Sequence, residues 1–434
     1  MKDSTAEPVN PDARLRHGRV SLALSFFVQG VAFALLVTRI PAIQDRYGIS
    51  DALLPVFLAA VPILAGVGSV LTERIVVRVR PRVVLRWAQP LVLLALLGVA
   101  AGDQVWQLAV SLGAFGLAVG ALDASMNMLG VRLQRAYGRS IMLGFHATYS
   151  LGGIAGASLA WAGAHWDLSL LVSYLPVVVV LLPAALVGSR WYTEASTEVS
   201  TDAITPASTG ADTRASTGAD TEKPDSVRTG ISGASSVAFK ALLPLCLVMT
   251  FAYIGDSTVS NWSAKYLQDV LGSSDEVATV PYNAYMVTTL LGRAAGDLGV
   301  RRFGPVAVVR FGSLFAAAGF AVVALAPGAW VGILGFTILG FGLCVLVPQC
   351  FAAAGRMFPD ASDAAVARLN IFNYVGFLIG SPLVGALGDV WSYRGAMLVP
   401  MLMILVTLVY ARSFADGSAR YGGVHDRSRA ADVG

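Results

Sequence analysis

Asp123 lies in Gly120-Ala-Leu-Asp-Ala-Ser-Met-Asn-Met-Leu-Gly130, a stretch with no other charge. At the centre of a membrane a carboxylate costs at least about 2.5 kcal/mol on insertion scales, so it is retained for a task. Binding and releasing a proton is the chemistry a lone acid in such surroundings can do. Asn127, four residues on, leaves a helix on the same side. A second acid, Asp256, lies in Tyr253-Ile-Gly-Asp-Ser-Thr-Val-Ser-Asn-Trp262, near the outer end of its apolar run. In Gly144-Phe-His-Ala-Thr-Tyr-Ser-Leu-Gly-Gly153, His146 shares a helical face with Tyr149, Ser150 and Gly153. Imidazole titrates near neutral pH, so His146 can relay a proton or hold an anionic group. For all three residues the plainer alternative is a structural one, a polar group capped or paired with a neighbour.

Around them stand amides and aromatics at membrane depth: Gln29, Asn127, Tyr149, Asn261, Trp262, Asn283, Asn370 and Asn373. Such side chains orient a small polar solute in an otherwise apolar cavity, although a single one can equally bridge two helices for about 0.6 kcal/mol. Gly292-Arg-Ala-Ala-Gly-Asp-Leu-Gly-Val-Arg-Arg-Phe-Gly304 is more specific. Arg293 and Asp297 are one helical turn apart, which brings opposite charges together as a latch or as a static ion pair. Gly296 thins that face for a neighbouring helix, and Gly304 permits the turn that follows. The three cysteines, Cys246, Cys344 and Cys350, follow no metal or disulfide spacing and read as small buried apolar residues. No cofactor or metal is expected.

The elements that position these residues are long and apolar. Of the chain, 56% is hydrophobic and 13% charged, and mean hydropathy is +0.67. Soluble domains carry roughly 25% charged residues, so the surface of this chain belongs in a lipid bilayer. Spans are expected near 20–38, 51–72, 84–101, 105–126, 140–163 and 168–188, then 239–258, 280–300, 306–326, 329–350, 364–388 and 393–412. The predicted fold is an all-α membrane protein of twelve transmembrane helices in two six-helix bundles, residues 20–188 and 238–412. The basic end of 1–19 followed by an apolar run resembles a signal peptide, but further apolar runs follow at once, and it reads as a retained first span. Between the bundles, 189–237 is rich in Ser, Thr, Ala, Gly and Asp and repeats Ala207-Ser-Thr-Gly-Ala-Asp-Thr213 from Ala215 to Thr221. That composition reads as a disordered linker.

Basic residues fix the orientation. Arg74, Arg78, Arg80, Arg82 and Arg86 follow the second span, Arg132, Arg135 and Arg139 the fourth, and Arg301 and Arg302 the eighth. By the positive-inside rule the tails 1–19 and 413–434 and the linker are cytoplasmic, in a multi-pass protein of the cell membrane. The net charge of +4 thus sits in orientation-setting loops and gives no support for nucleic-acid binding.

The two halves, the linker and the Gly-Arg-x-x-Gly-Asp…Arg-x-Gly run resemble the major facilitator superfamily. In the first half the matching stretch is Thr72-Glu-Arg-Ile-Val-Val-Arg-Val-Arg-Pro-Arg82, with Arg78 and Arg82 at the basic positions but Val77 for the expected Asp and Arg80 for the turn Gly. Thr38-Arg-Ile-Pro-Ala-Ile43, Leu122 to Asn127, His146 to Gly152 and Asp256 to Trp262 are similar to the branch containing fucose permeases and the bacterial inner-membrane protein YbjJ. The resemblance implies a monomeric secondary transporter of a small solute working by alternating access. It implies proton coupling at Asp123; His146 and Asp256 are read beside it as proton-coupling candidates, and Arg39, Arg78, Arg293, Asp297 and Arg302 as gating residues. The acid those sugar symporters carry late in the first helix is missing from Phe33-Ala-Leu-Leu-Val-Thr-Arg39. Export of a metabolite or drug is therefore favoured over proton-linked uptake of a sugar-like or other polar nutrient. Arg39 is expected to steer an anionic solute or to pair with Asp256 across the outer vestibule. A membrane sensor docking partners on its linker is the rival of another class. An enzyme is not expected, because no paired carboxylates, metal spacing or Ser/His arrangement shares a depth.

Overall fold

A computed structural model describes residues 12–50, 53–193, 239–278 and 280–415, and every regular element among them is helical. The first half contains α1 (Ala13–Thr38), α2 (Ile40–Tyr47), α3 (Leu54–Ile75), α4 (Pro81–Ala101), α5 (Val105–Tyr137), α6 (Met142–His165) and α7 (Leu170–Gly188). The second contains α8 (Phe239–Asp269), α9 (Asp275–Ala278), α10 (Val280–Phe303), α11 (Pro305–Leu325), α12 (Ala329–Leu343), α13 (Leu346–Met357), α14 (Ser362–Val390), α15 (Tyr393–Ala396) and α16 (Leu398–Tyr410). Nine stretches among the described residues are long and apolar enough to cross a bilayer. With α3, α6 and α10 they make the twelve-helix, two-bundle fold. Val20, Leu94, Val180, Phe311 and Val409 lie exposed on its flanks, where lipid tails replace water.

Several helices outrun their apolar runs. α5 continues to Tyr137, where Gly138 ends it at φ +61°, and α8 continues to Asp269. Leu, Arg and Gln keep α5 helical after its hydropathy falls. Asp123 and Asp256 accordingly sit well inside their helices, not near the ends where apolarity alone places them. Two expected spans are broken, and proline explains both. The ring of Pro348 clashes with the carbonyl four residues back, at Cys344, where α12 gives way to α13. Pro400 does the same to Ala396, where α15 ends.

The edges of the bundles also differ from expectation. α1 starts inside the expected tail. Residues 189–193, expected as linker, are ordered: a 3₁₀ turn at Ser189–Trp191 leads to Tyr192, whose hydroxyl donates to Gln89 Oε1 at 2.8 Å. Phe414 is buried and its carbonyl accepts from Arg356 Nη2 at 3.1 Å. The remainder of the linker, 194–237, residue 238 of the second bundle, and the tail residues 1–11 and 416–434 lie outside the described residues.

Lipid supplies no hydrophobic force between helices, so they associate through close packing at small residues. The hydrogen side of Gly152 faces the Phe27 carbonyl so closely that a Cβ would come within 2.1 Å of it, and Gly30 meets Tyr149 O in return at 2.2 Å. These two contacts seat α1 on α6. Gly152→Ala should force the helices apart, an overpacking worth about 1–3 kcal/mol, and lower the melting midpoint of the purified protein. Gly66→Ala, whose Cβ meets nothing within 4 Å, should leave the midpoint unchanged or slightly higher. Equal midpoints for the two variants would contradict this packing.

Candidate functional site

The described chain ends, Asp12, Thr193, Phe239 and Ala415, define one face of the molecule, here the terminal face. A cavity of about 940 Å³ lies between the halves. It runs from Asp123, His146 and Arg293 in the interior out to Thr38, Trp161 and Tyr282 at the opposite face. The halves are joined on the terminal side and part toward the far side.

Asp123 is 9% exposed and takes hydrogen bonds from both halves. Asn127 Nδ2, one turn along α5, donates to Oδ1 at 3.2 Å. From α14 of the other half, Asn373 Nδ2 and the Tyr374 hydroxyl donate to Oδ2 at 3.1 and 3.0 Å. Asn373 Nδ2 also reaches Asn370 Oδ1 at 3.4 Å, and Asn370 Nδ2 reaches Ser69 Oγ at 3.3 Å. The polar seam through Asn370 and Asn373 thus continues into the first half. Asp256 is half-buried and accepts from the Tyr285 hydroxyl at 2.5 Å.

His146 is 7% exposed, its ring 5.3 Å from that of Phe26 and 6.2 Å from that of Phe351. Its Nε2 is buried and has no hydrogen-bond partner among the described residues. Gln29, Tyr149, Asn261 and Asn283 line the cavity. Asn127 and Asn370 stand behind the wall. Trp262 turns away: its indole N–H donates to Ser381 O at 3.0 Å, and its ring packs against Tyr393.

Arg293 and Asp297 do not form the expected pair. Asp297, 5% exposed, crosses to the other half and caps α6. It accepts from Ser140 Oγ at 2.6 Å, Gly144 N at 2.8 Å and Leu143 N at 3.3 Å. The first amides of a helix have no partner within it and carry the positive end of its dipole, so they hold a carboxylate better than one flexible guanidinium does. Gly296 makes room, its missing Cβ facing Leu143 Cδ2 at 2.4 Å, and Gly304 turns the chain at φ +79°. Arg293 points into the cavity. Its Nη1 donates to Ser150 Oγ at 2.7 Å and its Nε to Cys344 O at 3.4 Å, the carbonyl released by Pro348.

The expected pairing of Arg39 with Asp256 is also absent. Arg39 donates to the carbonyls of Leu168 at 3.0 Å and Ala160 at 3.4 Å, tying α1 to the end of α6. Arg78 and Arg302 are exposed, with Arg302 over the Phe303 ring. Neither joins the halves.

The ties that do close the terminal side were visible only in part. Arg132 grips Asp363 through both carboxylate oxygens, Arg135 donates to Ser362 and to Pro359 O, and Arg301 Nη2 donates to Ser140 O at 2.6 Å. Arg368 pairs with Glu73 at 2.7 Å. Glu73 stands one turn before Val77, so the first half does supply an acid to this closure, at a shifted position. Tyr253, Tyr282 and Tyr374 line the cavity without a sequence signal that marked them. Among the described residues no group of three or more His, Cys, Asp or Glu is placed to hold a metal.

The sequence profile of the Major Facilitator Superfamily matches residues 22–331 and again 245–423. An uncharacterised MFS-type transporter of Yersinia pestis is 27% identical over 399 residues, 91% of this chain and 95% of that protein. The membrane protein MosC of Rhizobium meliloti is 25% identical, over 91% of this chain and 89% of its own. Among solved structures, FucP in its outward conformation superposes with a TM-score of 0.72 at 16% identity, covering 92% of this chain and 98% of FucP. The human organic anion transporter MFSD10 does so with 0.72 at 14%, covering 92% and 99%.

Asp297→Ala should loosen the terminal closure. Losing a charge-assisted contact leaves helix amides unpaired and costs about 1–3 kcal/mol, enough to shift a two-state equilibrium several-fold or more. Spin labels at the exposed positions Ala136 and Arg302 should report a longer, broader distance in the variant. An unchanged distribution would mean that Asp297 does not hold the halves together.

Proposed function

The chain belongs to the Major Facilitator Superfamily, and from that premise we propose that it is a proton-coupled secondary transporter that exports a small metabolite or drug by alternating access. It is a membrane-embedded transporter of small solutes, not an enzyme. The finer reading rests on one observation. Asp123 lines the cavity and is hydrogen-bonded from both halves at once. Any rocking of the bundles that separates α5 from α14 strips the carboxylate of Asn373 and Tyr374. Its proton affinity and the position of the halves are thereby linked, and linkage is reciprocal.

The arginines after α3, α5 and α10 all lie on the terminal face, which supports a cytoplasmic terminal face, cytoplasmic termini and a cell-membrane location. The cavity is then open to the outside, and the ties of Glu73, Arg132, Arg135 and Asp297 form the inner gate. The site lies within one chain, in keeping with a monomer. Export is favoured by the end of α1. No acid stands there, and Arg39 is spent on backbone carbonyls. The cavity walls also carry Phe26, Phe33, Phe57 and Trp161 beside a few polar groups, which suits an amphipathic cargo. Uptake is the second reading, favoured by fold neighbours that are proton symporters of fucose and xylose.

Metabolites in cells and spent medium from strains making the wild type or Asp123→Asn provide the test. A compound at least about tenfold enriched outside with wild type alone is the expected outcome, since each 1.4 kcal/mol of lost coupling is a factor of ten. A compound drawn into cells by wild type alone would reverse the direction. Equal profiles and equal pH-gradient-driven flux in the two strains would remove Asp123 from the cycle.

A further inference from the structure

We propose that the cavity binds a zwitterionic organic solute, with its ammonium on Asp256 and its carboxylate on Arg293. This rests on the reading of the cavity as the transport site. It goes further by naming the class of cargo.

The charged side chains lining the cavity are Asp123, Asp256 and Arg293, with His146 as the titratable neighbour of Arg293. They are not equally free. Asp123 already accepts from Asn127, Asn373 and Tyr374. For Asp256, Tyr285 is the one donor among the described residues, although a carboxylate has about four acceptor positions. Arg293 spends Nη1 on Ser150 and Nε on Cys344 O, which leaves part of a five-hydrogen fork facing the cavity. Asp256 and Arg293 form no ion pair with each other, so each presents its charge to whatever occupies the cavity.

With Asp123 carrying the coupling proton, the cavity has one negative and one positive pole. A neutral solute sealed inside would leave both poles desolvated and unpaired, and a singly charged one would leave one of them so. A solute with one charge of each sign satisfies both. Its length follows from α10. Arg293 is eight residues beyond Tyr285, about 12 Å along the axis. Its side chain leans back toward the helix N-terminus and shortens that gap. A short peptide or an ω-amino acid, whose charges lie several bonds apart, can bridge two poles set apart in this way. Between the poles, Phe26 and Phe33 offer apolar wall, and Tyr149 and Tyr282 offer ring faces that also suit an ammonium.

Calorimetric titration of the purified protein in nanodiscs, without a pH gradient, tests this directly. The probes are trialanine, about 10 Å when extended, and ε-aminocaproate. Each is compared with its N-acetylated form, its amidated form and its doubly capped form. Each zwitterion should bind at least about tenfold more tightly than any of its capped forms. In Asp256→Asn the advantage over the N-acetylated form should vanish, and in Arg293→Gln the advantage over the amide. Melting midpoints without ligand confirm that the variants fold. Tyr285→Phe, which keeps the Asp256 charge and frees an oxygen, should retain the preference and so guards against a merely structural loss. A capped form binding as tightly as its zwitterion, or no binding by either probe, would overturn the proposal. Binding is read without turnover, so the outcomes separate. A zwitterion preference with flux indifferent to Asp123→Asn sinks only the coupling scheme. Asp123-dependent flux without that preference sinks only the cargo class.

Discussion

A carboxylate at membrane depth cannot be left without donors, and Asp123 satisfies that constraint by borrowing from the opposite bundle. Asn127 comes from its own helix, while Asn373 and Tyr374 come from α14. Ser69 and Asn370 extend the polar seam across the same interface. The interior is thus hydrated by protein groups whose positions depend on how the two halves sit. Separating α5 from α14 would remove Asn373 and Tyr374 from the carboxylate, and the proposed proton coupling rests on that change of partners. Close glycine contacts keep each bundle rigid, so that motion is concentrated between them.

The closure on the terminal side is built from many small ties. A partly exposed ion pair contributes about 0–1 kcal/mol, and Arg132–Asp363 and Arg368–Glu73 are of that kind. Asp297 is different, because it satisfies two helix amides and a hydroxyl that otherwise have no partner. One strong cap and several weak pairs give a state that is held but can be left, as a reversible gate requires. The same arrangement frees Arg293 from Asp297. The carbonyl released by Pro348 then positions the guanidinium in the cavity, so a helix break far from any charge determines where a charge points.

Much of this was legible in the residues. Twelve apolar runs, the polar segment between the sixth and seventh, and the alternation of basic loops specify two bundles and their shared face. Asp123 with Asn127, and Asn370 with Asn373, were readable as two pairs because helical spacing puts each pair on one face; that the pairs meet across the halves was not readable. Charge pairing was not. Arg293 with Asp297 fits the one-turn rule, yet tertiary donors outcompete a neighbour four residues away, and no local pattern reveals a helix N-terminus arriving from the other half. Arg39 and Asp256 have opposite charges at a similar depth, but depth says nothing of azimuth. Glu73 was hidden because the family pattern directs attention to Val77, although one turn of helix gives another acid the same reach. The broken helices were in principle visible through Pro348 and Pro400. Hydropathy averages over a proline, whereas backbone geometry does not.

The far side lacks a counterpart to the terminal closure. Its basic groups Lys265, Arg46 and Arg394 bond within one half, to Asp269, to Gly102 O and to the carbonyls of Ala324 and Ala326. What faces across the open cavity there is mostly apolar or aromatic, as with Phe33, Phe57, Trp161 and Tyr282. Apolar walls gain little by meeting each other across a gap they cannot fill, since dispersion needs contact and falls away within an ångström. Closing the far side therefore depends on something that fills the gap and satisfies Asp256 and Arg293. In the proposed cycle one closed state is latched by the protein itself, and the other is completed by its cargo. A ligand can shift the equilibrium only by its preference for one state, and here the preference comes from charges and walls that stay incomplete until it binds.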